Sequence, residues 1–444
     1  MLLELKKALS RLFWDNTLLS DKTKFKLQKL KREIFGSSHE QENIANNNSF
    51  AKDFIKQVIE SQYLDNSFSI NYPKIEDAIK LQPTDPKLLA FYLPQYRPNK
   101  YNDLWWGKGT TEWTNVGKSV PQYLGHYQPR CPGELGYYDL RVKENIYRQI
   151  ELARIFGIYG FCFYYYWFDG VRLLNEPIDD FVNDESITFP FCICWANENW
   201  SQQWNGTSNA SLINQTKSEE SYKNFIESCC NLFAKSNYIR IDDKPLLVIY
   251  RPDNMPTIKP VLDYWRQYIR QNLNTEIYIS AVYCKDIDLL KEGFDAINEF
   301  APDQYIFGEG SIAKNITNTK KYACECFLGN IYDYKDFVEN KRYFEFNNKK
   351  TFRALCPMWD NTARKKQKPM IFDGSTPDLY KQWLKDLMIE SRQRVSNKEL
   401  DDNLIFINAW NEWAEGAYLE PDLYWKYGYL EATRDAILET REQL

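Results

Sequence analysis

From Lys87 onward, short apolar runs alternate with longer amphipathic stretches. The runs are Leu88–Leu93, Tyr159–Trp167, Phe189–Trp195, Pro245–Tyr250, Ile277–Tyr283, Phe294–Phe300, Phe352–Trp359 and Leu404–Trp410. Most are apolar throughout rather than at alternate positions, the pattern of parallel strands buried on both faces. Between them the spacing predicts helices over 139–156, 218–236, 257–273, 330–346, 376–396 and 422–441, with Glu219 and Glu220 placed in a first turn where the helix dipole favours them. Eight strands joined by helical crossovers predict an α/β chain folded as a (β/α)8 TIM-type barrel over 87–444, with long βα-loop insertions. An open doubly wound sheet would place a glycine-rich phosphate turn after the first strand, and Leu93-Pro-Gln-Tyr-Arg97 stands there instead. Residues 1–80 read as a basic helical extension carrying an Asn-rich linker, Ile44-Ala-Asn-Asn-Asn-Ser-Phe50, whose Asn and Ser favour turns or disorder.

In such a barrel, chemistry collects at the C-terminal ends of the strands. In order, those ends carry Tyr92, Gln95 and Tyr96, then Tyr165 and Trp167, then Trp195-Ala-Asn-Glu-Asn-Trp200. Tyr250 and Arg251 follow, then Tyr283, Glu299 and Asp303, Trp359 and Asp360, and finally Trp410-Asn-Glu-Trp-Ala-Glu415. Composition sharpens this picture. The chain is 16% aromatic yet has two histidines, His39 and His126, and no CxxC pair, so no metal centre or other cofactor is expected. With 56 Lys+Arg against 61 Asp+Glu it is a poor partner for nucleic acid. Rings beside carboxyls suit sugars, whose C–H faces stack on aromatics and whose glycosidic bonds break under paired carboxyls.

Glu412 and Glu415 form the sharpest pair. Three residues apart, they share one side only if the chain turns helically, and Gly416 makes such a turn expected. Asp286-Ile-Asp288, a bare D-x-D, reads as the opening of a helix rather than a cation site. His126, in a polar loop, could hydrogen-bond a sugar or serve the loop's structure.

The ten cysteines are expected to be reduced. Met1-Leu-Leu-Glu-Leu-Lys-Lys has no apolar signal-peptide region, which places the protein in the cytoplasm by expectation. Residues 1–35 hold nine basic and four acidic side chains with Leu, Phe and Trp interspersed. That pattern fits either a helix packed on the main domain or a segment in peripheral contact with the inner face of the membrane.

Seven ordered motifs resemble the WbsX glycosyltransferase family, related to glycoside hydrolase family 99, the endo-α-mannosidases. They are Phe91-Tyr-Leu-Pro-Gln-Tyr96, Trp105-Trp-Gly-Lys-Gly-Thr-Thr-Glu-Trp-Thr-Asn115, Gly125-His-Tyr-Gln-Pro129, Gly136-Tyr-Tyr-Asp-Leu-Arg141, Trp195–Trp200, Trp359-Asp-Asn-Thr-Ala-Arg364 and Asn408–Gly416. The resemblance spans about residues 87–430. It implies a barrel enzyme of cell-surface polysaccharide assembly (O-antigen or capsule), acting on an oligosaccharide or lipid-linked glycan. It further implies that Glu412 deprotonates a sugar 2-hydroxyl, which attacks the anomeric carbon, while Glu415 serves as acid and then base. Strand ends and motifs together nominate Tyr92, Gln95, Tyr96, Trp105, Trp106, Glu112, Trp113, His126, Tyr165 and Trp167 as substrate-binding. Trp195, Asn197, Glu198, Tyr250, Trp359, Asp360, Trp410 and Asn411 complete that set. Two alternatives stay open: an endo-acting glycosidase that trims a polysaccharide, and a non-catalytic glycan-binding barrel.

Overall fold

The computed structural model describes residues 40–62, 72–201, 211–307, 311–323, 327–346, 349–366 and 368–442. The chain divides into two units, 1–59 and 60–444. Most of the helix Glu40–Gln62 lies in the first. The Asn-rich stretch 44–50 falls inside that helix and is not a turn or linker. Asn costs only a few tenths of a kcal/mol per helical position, and the segment beyond it supports the helix through an i,i+4 stack of Phe50 on Phe54, centroids 6.0 Å apart. The basic segment 1–35 lies outside the described residues.

The second unit is a closed barrel of eight parallel strands: β1 Lys87–Tyr92, β2 Gly160–Phe168, β3 Phe191–Trp195, β4 Lys244–Ile249, β5 Tyr278–Val282, β6 Ala296–Asn298, β7 Thr351–Leu355 and β8 Leu404–Ile407. Each pairs with its chain neighbours, and β1 closes the ring by pairing with both β2 (Phe91 opposite Cys162) and β8 (Leu89 opposite Phe406). Inside, Phe91 meets Tyr164, Phe300 and Phe406 at ring distances of 5.1–5.5 Å. Burying each such ring contributes about 1.5–3 kcal/mol.

The crossover helices are α1 Lys143–Ile155, α2 Glu176–Asn183, α3 Glu219–Phe233, α4 Ile258–Leu273, α5 Tyr334–Glu339 and α6 Pro377–Ser396, and α7 Gly428–Arg441 follows β8. α3 opens under Ser218, whose side chain accepts the Ser221 N–H, and α6 opens under Thr376 with Pro377 at its first position. Outside the barrel, Asn330–Asp333, Met370–Asp373 and Trp359–Asp360 form a small sheet beside Tyr123.

Further sequence expectations differ from the structure. The helix expected over 330–346 begins instead as the strand Asn330–Asp333, because pairing with Met370–Asp373 overrides local preference. No helix opens at Asp286-Ile-Asp288: the connection from β5 to β6 is a run of turns, in which Asp288 pairs with Lys291 at 2.7 Å. The α2 helix, short and acidic, was not anticipated. Among the described residues the cysteines are free, and no helix is long and apolar enough to cross a membrane.

Candidate active site

Beyond β8 the chain runs through Trp410 into a two-residue strand, Asn411–Glu412, which pairs antiparallel with Ala417–Tyr418. A single 3-10 turn, Trp413–Glu415, joins them, and Gly416 closes it with φ +59°. Residues three apart eclipse in such a turn, so Glu412 and Glu415 face the same way. Asn411 fixes the turn to the end of β1: its Oδ1 accepts the Leu93 N–H at 2.7 Å and its Nδ2 donates to the Leu93 carbonyl at 3.1 Å. The Tyr96 hydroxyl donates to the Asn411 carbonyl. Below, the Trp413 indole donates to buried Glu420 at 2.6 Å; burial pushes that carboxyl up to about 7.

Both carboxyls meet a single guanidinium. Arg364 Nη1 donates to Glu415 at 2.7 Å, and its Nη2 donates to Glu412 at 2.9 Å and to Glu112 at 2.7 Å. Glu112 begins the short helix Glu112–Val116, is fully buried, and also accepts the Ala414 N–H at 3.2 Å. Burial raises the proton affinity of Glu412 well above that of an ordinary glutamate; Arg364 opposes it, while Glu415 and Glu112 add to it. Glu415 is raised in the same way, with Arg364 and Lys365 opposing. The Glu412 side chain is 5% exposed and that of Glu415 22%, so Glu415 stands nearer the open cavity.

That cavity has a volume of about 510 Å³. Its walls carry Tyr164 and Tyr166 of β2, Trp200, Tyr250, Phe300 and Trp359, with Glu198, Arg251, Asp303 and Lys365 around them. Asp303 is pushed up to about 8 by burial, and Glu415 and Glu198 add to this against Arg251. Arg251 pairs with Glu198 at 3.0 Å and Asp253 at 2.7 Å. Rings, neutralised carboxyls and hydrogen-bonding tips in one space match the demands of a sugar. Among the described residues, no group of three or more His, Cys, Asp or Glu could hold a metal ion.

Of the nominated residues, Glu412, Glu415, Glu198, Tyr250 and Trp359 line this cavity. The others do not. Tyr92, Tyr165, Trp167 and Trp195 point out of the barrel: Tyr92 donates to Gln149 of α1, and Tyr165, Trp167 and Trp195 pack on Phe225 of α3, Trp195 stacked at 4.0 Å. Side chains alternate along a strand, so the inward residues of β2 are Tyr164 and Tyr166. Glu299 likewise faces outward, onto Arg353 at 3.0 Å. Asn197 ties β3 to β4, donating to the Arg251 carbonyl at 2.7 Å and accepting its N–H at 2.8 Å.

Gln95, Tyr96, Trp410 and Asn411 are buried behind the turn, Trp410 against Phe161 at 5.1 Å. Trp113 donates to the Tyr138 carbonyl and packs on Tyr96 and Trp413. Trp105 and Trp106 sit in the helix Lys100–Trp106, from which Trp106 reaches Trp200, centroids 6.1 Å apart. His126 and Asp360 form a buried pair, 2.7 Å apart, instead of a sugar contact. His126 Nδ1 accepts the Gln122 N–H at 2.9 Å, so its proton sits on Nε2 and points at Asp360. Asp360 also accepts from Gln128 at 2.7 Å and Thr362 at 3.0 Å, which fixes the short helix Thr362–Lys365 that presents Arg364. Arg364 stands in a motif visible in the sequence, but nothing local marks it as the partner of residues 112, 412 and 415.

The chain resembles known proteins in sequence and fold. It is 39% identical over 351 residues to the uncharacterized protein WxcX of Xanthomonas campestris pv. campestris strain B100, and equally to that of strain ATCC 33913. These matches cover 79% of this chain and 49% of each relative, so the chain spans about half the length of the curated relatives it matches. A solved structure described as a glycoside hydrolase-like protein overlays 84% of this chain and 98% of its own, with TM-score 0.51 and 15% identity, a likeness of fold. A GH99 endo-alpha-mannosidase from Bacteroides thetaiotaomicron aligns at TM-score 0.49 and 14% identity over 82% of this chain and 99% of its own. The profile of the glycosyltransferase WbsX family matches residues 88–433, the whole barrel. The chain therefore belongs to the WbsX glycosyltransferase family.

Proposed function

We propose that this protein is a retaining glycosyltransferase of cell-surface polysaccharide assembly, with Glu412 and Glu415 as its catalytic pair. The observation that carries this reading is their meeting at a single buried guanidinium, that of Arg364, on the wall of a cavity lined by aromatic rings. Two carboxyls raised by burial beside one cation hold a proton between them, the condition for one to act as base and the other as acid.

In the first step Glu412 takes the proton of the donor sugar's 2-hydroxyl, O2 bonds to the anomeric carbon, and the bond from that carbon to the leaving oxygen breaks. Glu415 gives that oxygen its proton. In the second step Glu415 takes the proton of an acceptor hydroxyl, whose oxygen bonds to the anomeric carbon. The C1–O2 bond breaks, and O2 recovers its proton from Glu412. Two inversions give net retention. The first step begins with the shared proton on Glu415 and Glu412 ionised, and the second step returns the pair to that state.

The acceptor decides between transfer and hydrolysis. Purified protein is incubated with free or lipid-linked oligosaccharides, with and without an activated sugar donor. Elongated product in the presence of donor supports transfer; shortened glycans without donor make the protein an endo-glycosidase instead. Glu412→Gln and Glu415→Gln should each reduce turnover about 10²–10⁴-fold while glycan binding persists. Unchanged turnover removes the catalytic assignment; binding without turnover in the wild type makes it a lectin-like barrel. In this reading the enzyme works at the cytoplasmic membrane face, where residues 1–35 hold it to anionic lipid.

A further inference from the structure

The cluster contains more charge than the two proposed catalytic groups need. Three carboxyls surround the Arg364 guanidinium, and the third, Glu112, takes no part in lining the cavity. Its Oε1 accepts both from Arg364 Nη2 and from the backbone N–H of Ala414, a residue between Glu412 and Glu415 in the turn. Its Oε2 is buried without a hydrogen-bond partner among the described residues. A fully buried carboxyl with one oxygen unmatched is expensive to keep, and an apolar side chain would fill the same space at less cost.

We propose that Glu112 and Arg364 are a positioning pair for the reaction: Arg364 gathers Glu412 and Glu415 on one planar fork, and Glu112 anchors both that fork and the turn that carries them. This rests on the reading of Glu412 and Glu415 as the catalytic pair. Arg364 contributes attraction for the charged form of both carboxyls; Glu112 opposes it, so the two residues set the protonation balance in opposite senses. The other ionisable groups acting on the cluster come from every side. They are Tyr96 beyond β1, Tyr166 of β2, Glu198 beyond β3, Tyr250 beyond β4, Asp303 beyond β6, and Lys365 next to Arg364, with Arg251 one step removed, acting on Glu198, Tyr250 and Asp303. Tyr164 of β2 faces Glu412 as well. Glu112 bonds both the guanidinium and the turn backbone.

The test uses the full chain and three variants, Glu112→Gln, Arg364→Gln and Arg364→Lys, read by the pH–rate profile of glycan turnover. Carboxyl titration of the free protein by difference infrared spectroscopy is the second readout. Glu112→Gln removes a negative charge, and both limbs of the profile should move to lower pH. Arg364→Gln removes a positive charge, and both should move up by about 1–3 pH units. Arg364→Lys keeps the charge but loses the fork, so the limbs should stay within about half a unit of wild type while kcat falls tenfold or more. Limbs that stay put in both charge-removing variants, or full activity in Arg364→Lys, overturn the proposal. If Glu112→Gln does not give a cooperative melt, the two Arg364 variants decide. Should Glu412→Gln and Glu415→Gln be fully active, the catalytic reading fails separately, and the infrared titration still tests whether Glu112 and Arg364 set the carboxyls' protonation.

Discussion

Gly416 is where the geometry of the turn that carries Glu412 and Glu415 can be tested without any substrate. It closes the turn after Glu415 with φ +59°, and a Cβ built there would lie 2.9 Å from Arg130 Nε, 3.0 Å from the Asp360 backbone nitrogen and 3.0 Å from Asp360 Cβ. Gly416→Ala therefore meets two penalties. The left-handed backbone costs an L-residue about 1–2 kcal/mol, and forcing a methyl against backbone that cannot swing aside costs about 1–3 kcal/mol more. The loss of about 2–5 kcal/mol corresponds to a fall of roughly 2–6 °C in Tm for a unit of this length. Gly374→Ala is the matched control: Gly374 has φ +86° but nothing within 4 Å of the added Cβ, so it meets the backbone penalty alone. Thermal unfolding of the wild type and both variants gives the comparison. Gly416→Ala should be the less stable, and because the turn must shift, its turnover should fall while that of Gly374→Ala does not. Equal melting temperatures for the two variants would refute the close approach of Gly416 to Asp360.

Other expectations follow from the same geometry. Trp195→Ala empties a site packed on Phe225 behind the barrel and should cost about 3–5 kcal/mol of stability with glycan affinity unchanged; Tyr250→Phe, on the cavity wall, should do the reverse in thermal and binding assays. Asp303, normally near 3.8 and raised to about 8 here, binds its proton more tightly folded than unfolded. Its contribution is thus complete below pH 3.8 and lost as pH rises to about 8, so Asp303→Asn should gain stability relative to wild type across that window, measured as Tm against pH. A constant difference would rule this out. Breaking the buried pair of Arg353 with Glu299 through Arg353→Ala should cost about 3–5 kcal/mol in denaturant unfolding. Liposome flotation with anionic lipid should recover the full chain and not a chain lacking residues 1–35; equal recovery ends the membrane reading.

The eight apolar runs were enough to set the barrel, because a parallel strand buried on both faces leaves an uninterrupted hydrophobic signature. That same uninterrupted signature conceals which face looks inward. Tyr165 and Trp167 read no differently from Tyr164 and Tyr166 in the sequence, and ring closure alone turned the second pair toward the cavity. The pair Glu412 and Glu415 was legible for a local reason: spacing of three and a following glycine define a turn over four residues. Glu112 was nominated from its motif, but only as a substrate-binding residue, and Arg364 was not nominated at all, since each gains its part in the cluster from partners hundreds of positions or tens of positions away. Local pattern thus determined the elements and the one site built within a single turn. The tertiary structure decided which side chains share the cavity and which charges balance there, because burial and Coulomb interaction depend on distance in space, which the order of residues does not contain.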